Sequence, residues 1–307
     1  MNLLAVNFHY FRETTYASGI YPLSRRALEK QIDAIHRRYK FVSQAELSDW
    51  IRRQDFPTGD YCVLTLDDGL KEQMNVFDYL SGSGIPAIFY VATDPIRHQK
   101  VLPTHQLHYV RTQLDDAAIF EYLQKNTAIS SYPFNEQLLE NQYRYDDPLA
   151  RRVKYFLNFV LTEIDKETLV RQMFRMLVID EVAFSRALYM DEQDLRNLAK
   201  AGALGSHGSA HLPLATLTEA EAARDITASI KYLESVGGSP VISFSYPFGG
   251  TAAVSPWLAP LLNLAGIQFA FTMKRGLNTI EQFRDPLFLH RLDTNDAPGG
   301  KKNMVGL

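Results

Sequence analysis

The feature that most constrains the fold is Tyr61-Cys62-Val63-Leu64-Thr65-Leu66, an apolar run stopped abruptly by Asp67-Asp68-Gly69. A half-exposed strand alternates apolar and polar residues. A continuous apolar run is buried on both faces, as in parallel sheets covered by helices. Leu3–Phe8, Ile85–Val91, Val241–Tyr246 and Ile267–Thr272 read the same way, with Phe41-Val42 and Ala203–Gly205 as shorter pieces and Leu287–Leu292 as the last strand. Between them lie helical periods with their own start and stop signals. Ser24 is the cap of a helix to about Tyr39 with Leu28, Ile32 and Ile35 on one face, and Asp191 caps a helix stopped by Gly202. Ser43 with Glu46, and Thr218 with Glu221, are capping boxes. Strands alternating with helices of this length predict parallel β-α units, closed as an α/β barrel or open as a doubly wound sheet.

The rhythm breaks between about residues 97 and 187. That region reads as helices around Ala117–Lys125, Pro148–Ile164 and Lys166–Val178. Because the alternation resumes beyond it, it is expected to be a helical insertion in a single domain covering 1–307, with a frayed tail at Ala297–Leu307. A formal charge of −3 gives no electrostatic reason to expect nucleic acid or an anionic membrane as partner. The single cysteine, Cys62, excludes an intrachain disulfide and a multi-cysteine zinc site, and reads as a small core residue. No stretch approaches the roughly 18 apolar residues of a membrane span. Met1–Phe8 lacks a basic n-region and a cleavage site, so it reads as a strand, and the expected location is cytoplasmic.

Functional groups of parallel α/β folds collect where strands end at their C-terminal edge. His9, Asp67, Asp68, His207, His211, the Pro247-Phe248-Gly249 turn and His290 all fall at or near such points. In Ser206-His207-Gly208-Ser209-Ala210-His211, small residues let two imidazoles four positions apart turn to one ion. Two adjacent carboxylates point in different directions, so one can join the histidines as a metal ligand while the other stays free as a base. Taken alone, Asp67-Asp68-Gly69 is an ordinary turn with an aspartate capping the next helix, and H-x-x-x-H a pair of loop histidines. Together they make a ligand set with open positions for water.

Leu64-Thr65-Leu66-Asp67-Asp68-Gly69 resembles the first motif, T-F-D-D-G, of the polysaccharide deacetylases (carbohydrate esterase family 4). Ser206–His211 is similar to their second motif, S-H-T-x-x-H, and Phe244-Ser245-Tyr246-Pro247-Phe248-Gly249 to the third, R-x-P-Y-G. The resemblance covers residues 1–96 and 188–292. It implies a distorted (β/α) barrel of about seven parallel strands. Asp67 would be the general base for the attacking water, while Asp68, His207 and His211 would hold a divalent metal, usually zinc, with cobalt, nickel, manganese or iron as substitutes. Tyr246, Pro247, Phe248 and Gly249 would form one wall of the sugar pocket, a backbone N–H there helping to hold the oxyanion. His290 could match the histidine that protonates the leaving amine, and His9 could line the pocket.

The chain also departs from the pattern. Ser245 stands where many members have an arginine that orients the catalytic aspartate, and Arg291 is an alternative partner for an aspartate. The Asp/Trp pair of the fourth motif has no counterpart near Thr272–Asn278. The leading expectation is a metal-dependent hydrolase removing N-acetyl or a related N-acyl group from an amino sugar of a cytoplasmic glycan precursor or saccharide. A hydrolase of a non-sugar amide is a second reading, with Tyr246, Phe248 and Trp257 as aromatics favouring sugar. A carbohydrate-binding homologue with impaired catalysis is the third.

Overall fold

The computed structural model of the chain describes residues 1–16, 18–142 and 147–305. In chain order, β1 (Asn2–Phe8) leads through α1 (Arg25–His36) to the two-residue β2 (Lys40–Phe41), then α2 (Gln44–Arg53), β3 (Asp60–Leu66), α3 (Gln73–Gly82), β4 (Ala87–Val91) and α4 (Asp94–His98). Helices α5 (Pro103–Gln113), α6 (Asp116–Asn126), α7 (Glu136–Gln142), α8 (Pro148–Tyr155), α9 (Glu163–Leu177) and α10 (Glu181–Leu188) follow. The alternation then resumes with α11 (Glu192–Lys200), β5 (Leu204–Ser206), α12 (Glu219–Gly237), β6 (Ser243–Ser245), α13 (Ala259–Leu264), β7 (Phe269–Phe271) and β8 (Leu292–Asp293).

Seven strands form one curled parallel sheet in the order β7-β6-β5-β4-β3-β1-β8, with β2 paired to β3. Leu289, just before β8, bridges back to Phe271 on β7, so the two ends of the sheet path meet. This is the distorted (β/α) barrel expected from the sequence. The capping boxes form as read: Ser43 with Glu46 opens α2, and Thr218 with Glu221 opens α12.

The strands are apolar on both faces because each face meets a different layer. Leu4, Val6, Phe8, Cys62, Leu64, Leu66, Phe89, Val91 and Phe244 pack against Leu28 and Ile32 of α1, Leu195 and Leu198 of α11, and Ile226 and Leu233 of α12. Leu3, Ala5, Val63, Ile88, Tyr90, Phe269, Phe271 and Leu289 form a second cluster inside the curl. Residue parity therefore decides which side chains enter the barrel. At Gly205 a Cβ would lie 2.4 Å from the Tyr90 ring, so this interior position on β5 has no room for a side chain.

Two expectations are corrected. Leu287–Leu292 is not a continuous strand. Pro286 has no N–H to give a ladder, and Pro286–Phe288 forms a 3-10 turn, so only Leu289 bridges and pairing with β1 begins at Leu292. The tail is not frayed through residue 305. Ala297 is buried, and Gly300, Lys302 and Met304 donate backbone hydrogen bonds to Ala297, Asn295 and Asp296. Residues 306–307 lie outside the described residues.

By backbone contacts the chain divides into two compact units, one of residues 1–14, 22–100 and 182–307, the other of 15–21 and 101–181. The second unit has its own core, with Ile119, Leu123, Val153, Phe156, Val170, Met173 and Phe174 buried. The helix expected over Pro148–Ile164 ends sooner. It passes into a π turn at Phe156–Val160, and Thr162 caps α9, whose expected start at Lys166 moves back to Glu163. Among the described residues no helix is long and apolar enough to cross a membrane.

Candidate active site

The interior register carries polar residues toward the C-terminal end of the sheet. Asn7 on β1 and Thr65 on β3 are paired in register, and Asn7 Nδ2 donates to Asp67 Oδ2 at 3.1 Å. Asp67, only 2% exposed, is gripped by Arg291, whose two terminal nitrogens donate to Oδ1 at 2.8 Å and Oδ2 at 2.7 Å. Ser245 Oγ donates to the same Oδ2 at 3.1 Å and accepts from Arg291 at 2.9 Å. Burial alone would raise the Asp67 pKa, but the guanidinium, with His207 and His9 nearby, holds it below the usual carboxylate value. The Asp67 carboxylate is thus kept ionised, with both oxygens hydrogen-bonded.

At Asp68 the backbone turns left-handed, with φ of 81° followed by Gly69 at 72°. Asp68 Oδ1 lies 3.4 Å from His207 Nε2 and 3.3 Å from His211 Nε2. These three ligand atoms all fall within 4.8 Å of one another. His207 Nδ1 lies 2.6 Å from the Ser245 carbonyl. Donating there would put a ring proton on Nδ1 and turn Nε2 toward Asp68, the nitrogen that a bound cation would use. Burial opposes charge on His207, and Asp67 and Asp68 outweigh it, raising its pKa. Two imidazole nitrogens and a carboxylate oxygen, buried and converging, fit a divalent cation of the zinc type with positions left open. His211 has φ of 55° and its ring meets that of Phe248 edge-on at 4.8 Å. Phe248 is itself left-handed at 61° and 53% exposed.

The remaining expected residues part company. Pro247 and Gly249 lie in the turn that presents Phe248, where Gly249 N–H donates to the Pro247 carbonyl at 2.7 Å. Tyr246 is fully buried, stacked on Phe288 at 5.9 Å and packed against Phe244, so its side chain belongs to the helix-facing core and not to a pocket wall. Trp257 also packs against that core. His290 is not brought to the site. Its backbone is tied to Asn278 at 2.7 and 2.9 Å, and its Nδ1 is the atom a Cβ on Gly276 would meet. Among the described residues nothing joins its ring to Asp67, Asp68, His207 or His211. In extended chain, Arg291 points inward and its neighbour His290 outward. His9 falls on the inward parity of β1, and Gln73 Nε2 ties its carbonyl and that of Asp67 together at 2.9 and 2.6 Å.

Fold and site define a class, a distorted (β/α) barrel with a carboxylate–imidazole centre at its C-terminal rim. The family model described as polysaccharide deacetylase matches residues 150–268, which include His207, His211 and the Pro247 turn, and also part of the helical region that the motifs left unmatched. Comparison with curated proteins gives no match. Among solved structures, the deacetylase PplD of Streptococcus pyogenes in complex with acetate is similar with a TM-score of 0.62 at 12% identity, over 99% of this chain and 97% of that one. A de-N-acetylase from Aggregatibacter actinomycetemcomitans gives 0.59 at 14% identity, over 99% and 100%. IcaB from Ammonifex degensii gives 0.57 at 15%, over 95% and 91%. Likenesses at these identities concern the fold. With the family model, they show that the chain resembles the polysaccharide deacetylases, as the motifs at Thr65–Gly69 and Ser206–His211 imply.

Proposed function

We propose that the chain is a metal-dependent hydrolase that removes N-acetyl, or a related small N-acyl group, from an amino sugar. The observation that carries this reading is the convergence of Asp68, His207 and His211 beside a second carboxylate, Asp67, which Arg291 and Ser245 bind and whose Oδ2 lies 3.8 Å from His207 Nε2. A divalent cation held by the three ligands, zinc first, would lower the pKa of a coordinated water from about 15.7 to about 7. Asp67 accepts the proton of the attacking water. The water oxygen bonds to the acyl carbon, the C–N bond breaks as the amine nitrogen is protonated, and a carboxylate and a free amine leave. Of the two imidazoles expected near the barrel rim, His9 stands on the inward parity, so the amine's proton is assigned to it and not to His290.

In the third-motif turn, Tyr246 N–H donates to the Phe271 carbonyl and Gly249 N–H to Pro247, while the Phe248 N–H meets no backbone acceptor among the described residues and is assigned as the donor for a developing oxyanion. The exposed Phe248 ring beside His211 offers a face for a sugar. Ser245 in place of arginine does not favour an impaired homologue, because Arg291 brings a guanidinium to Asp67 from the neighbourhood of β8. A non-sugar amide is the second reading. It gains from Tyr246 and Trp257, which pack into the core and leave Phe248 as the aromatic at this turn.

The test measures metal content of the purified protein and acetate release from N-acetylated nucleotide sugars, oligosaccharides and simple amides, with and without chelator. Stoichiometric metal and chelator-sensitive release from a sugar are expected. No metal after reconstitution with zinc, cobalt or nickel would sink the site, and release confined to simple amides would select the second reading.

A further inference from the structure

The loop between His207 and His211 is held from two sides by carboxylates that this chemistry does not use. From α12, Asp225 Oδ1 accepts from Ser209 N–H and Oδ2 from Ala210 N–H, both at 2.9 Å. From the start of α4, Asp94 Oδ1 accepts from Ser209 Oγ at 2.8 Å, while the N–H groups of Thr93 and Asp94 donate to the carbonyls of Gly208 and Ser209 at 3.2 and 2.9 Å. Asp225 is 9% exposed. Its fit to the loop is close: at Gly208, with φ of 73°, an added Cβ would sit 2.6 Å from Asp225 Oδ1. The next ligand, His211, is held left-handed at 55°, a conformation that a non-glycine residue keeps only when its surroundings impose it.

We infer that Asp225 is a positioning residue that fixes the ligand loop and thereby sets the metal affinity of the Asp68–His207–His211 site. The inference rests on the metal reading above. Residues 209 and 210 are the two that lead into His211, and both present their amides to one buried carboxylate. Charge-assisted acceptor bonds of this kind are stronger than neutral ones. Without them the buried Ser209 amide and the half-buried Ala210 amide lose their partner, the chain at His211 is free to relax toward negative φ, and Nε2 swings away from Asp68. Asp94 secures the other side of Ser209 and leaves the Ala210 amide untouched, so it does not replace Asp225.

The test is zinc affinity, read by competition with a chromophoric chelator, for wild type, Asp225→Asn, Asp225→Ala and Ile230→Val. Thermal midpoints of the metal-stripped and zinc-loaded forms are measured alongside. Asp225→Ala is expected to weaken zinc by about 10- to 100-fold, the size of effect seen when a ligand's outer partner is lost. Asp225→Asn should fall between, since its carbonyl oxygen accepts from one amide while its NH₂ faces the other. The rise in midpoint on adding zinc should shrink in the same order. Ile230→Val, a core truncation on the same helix, should lower both midpoints alike and leave zinc affinity unchanged. If Asp225→Asn binds zinc as wild type does and only its midpoint falls, Asp225 is a structural residue and the inference is overturned. That variant decides the matter if Asp225→Ala does not fold. A wild-type protein that takes up no metal would overturn the metal reading first, which tells the two failures apart.

Discussion

Arg291 and Asp67 form a two-pronged ion pair inside the barrel, at 2.8 and 2.7 Å, although 224 residues separate them in the chain. Arg291 has no solvent exposure and is among the largest fully buried side chains of the protein. Removing one member of a buried pair leaves the other charge unpaired, which costs about 3–5 kcal/mol. Arg291→Met should therefore lower stability by about that amount in denaturant unfolding, and by much less when Asp67→Asn is already present.

The same pair sets a pH dependence. In the wild type the folded Asp67 pKa is depressed, so its stabilisation is present above the unfolded carboxylate pKa and is lost as pH falls through the folded value. In Arg291→Met, burial, the largest influence on this carboxyl, loses its main opponent and raises the folded pKa. The sign then inverts, and the variant loses stability as pH rises from the unfolded value toward the raised one. Denaturation of metal-stripped protein across about pH 3 to 8 reads both slopes. Parallel slopes in the two proteins would remove Arg291 from control of Asp67.

Asp67→Asn tests the base directly. The amide keeps the shape and one acceptor for Arg291 but accepts no proton. Metal content should be unchanged, because Asp67 is not among the three converging ligands. Turnover should fall by roughly 10²- to 10⁴-fold, the range for losing a positioned general base. Unchanged turnover would take Asp67 out of that role.

Much of this was legible in the residues. Apolar runs ending in Asp67-Asp68-Gly69 and leading into His207 announced parallel strands with chemistry at their ends, and Ser43, Thr218 and Asp191 marked helix starts. What was not legible was parity on short strands. A strand of three residues such as β6 shows no alternation that distinguishes the barrel interior from the helix layer when both are apolar, so Tyr246 looked as available as Ser245. Likewise the sequence offered His290 as the proton donor and Arg291 only as an alternative partner for an aspartate, and parity separated them once Leu289 bridged to Phe271. An arginine inside the apolar run Leu287–Leu292 was the available signal, since a guanidinium enters a core only with a partner. The left-handed backbone at Asp68, His211 and Phe248 left no mark in residue type, because none of them is glycine.

Two histidines then make a paired prediction. His290→Ala should leave turnover within about twofold, as expected for a side chain facing away from the reacting atoms. His9→Ala should lower kcat by at least about tenfold, as loss of a general acid does. A kcat that falls for His290→Ala and holds for His9→Ala would return the proton to His290 and require the segment before β8 to rearrange when substrate binds.

Phe248 offers a separation of stability from function. It is a bulky residue at φ of 61° and more than half exposed, so it gains little from burial and carries a conformational cost of about 1–2 kcal/mol that glycine would not. Phe248→Gly should therefore raise stability, by less than that cost because glycine adds freedom to the unfolded chain. If the ring is the face on which the sugar rests beside His211, the same change should raise KM by about tenfold or more, with a smaller effect on kcat. Phe248→Leu keeps the strain and loses the flat face, so it should raise KM without the gain in stability. A stabilised Phe248→Gly protein with unaltered KM would show that the strained ring serves no substrate contact, and the non-sugar amide reading would then gain.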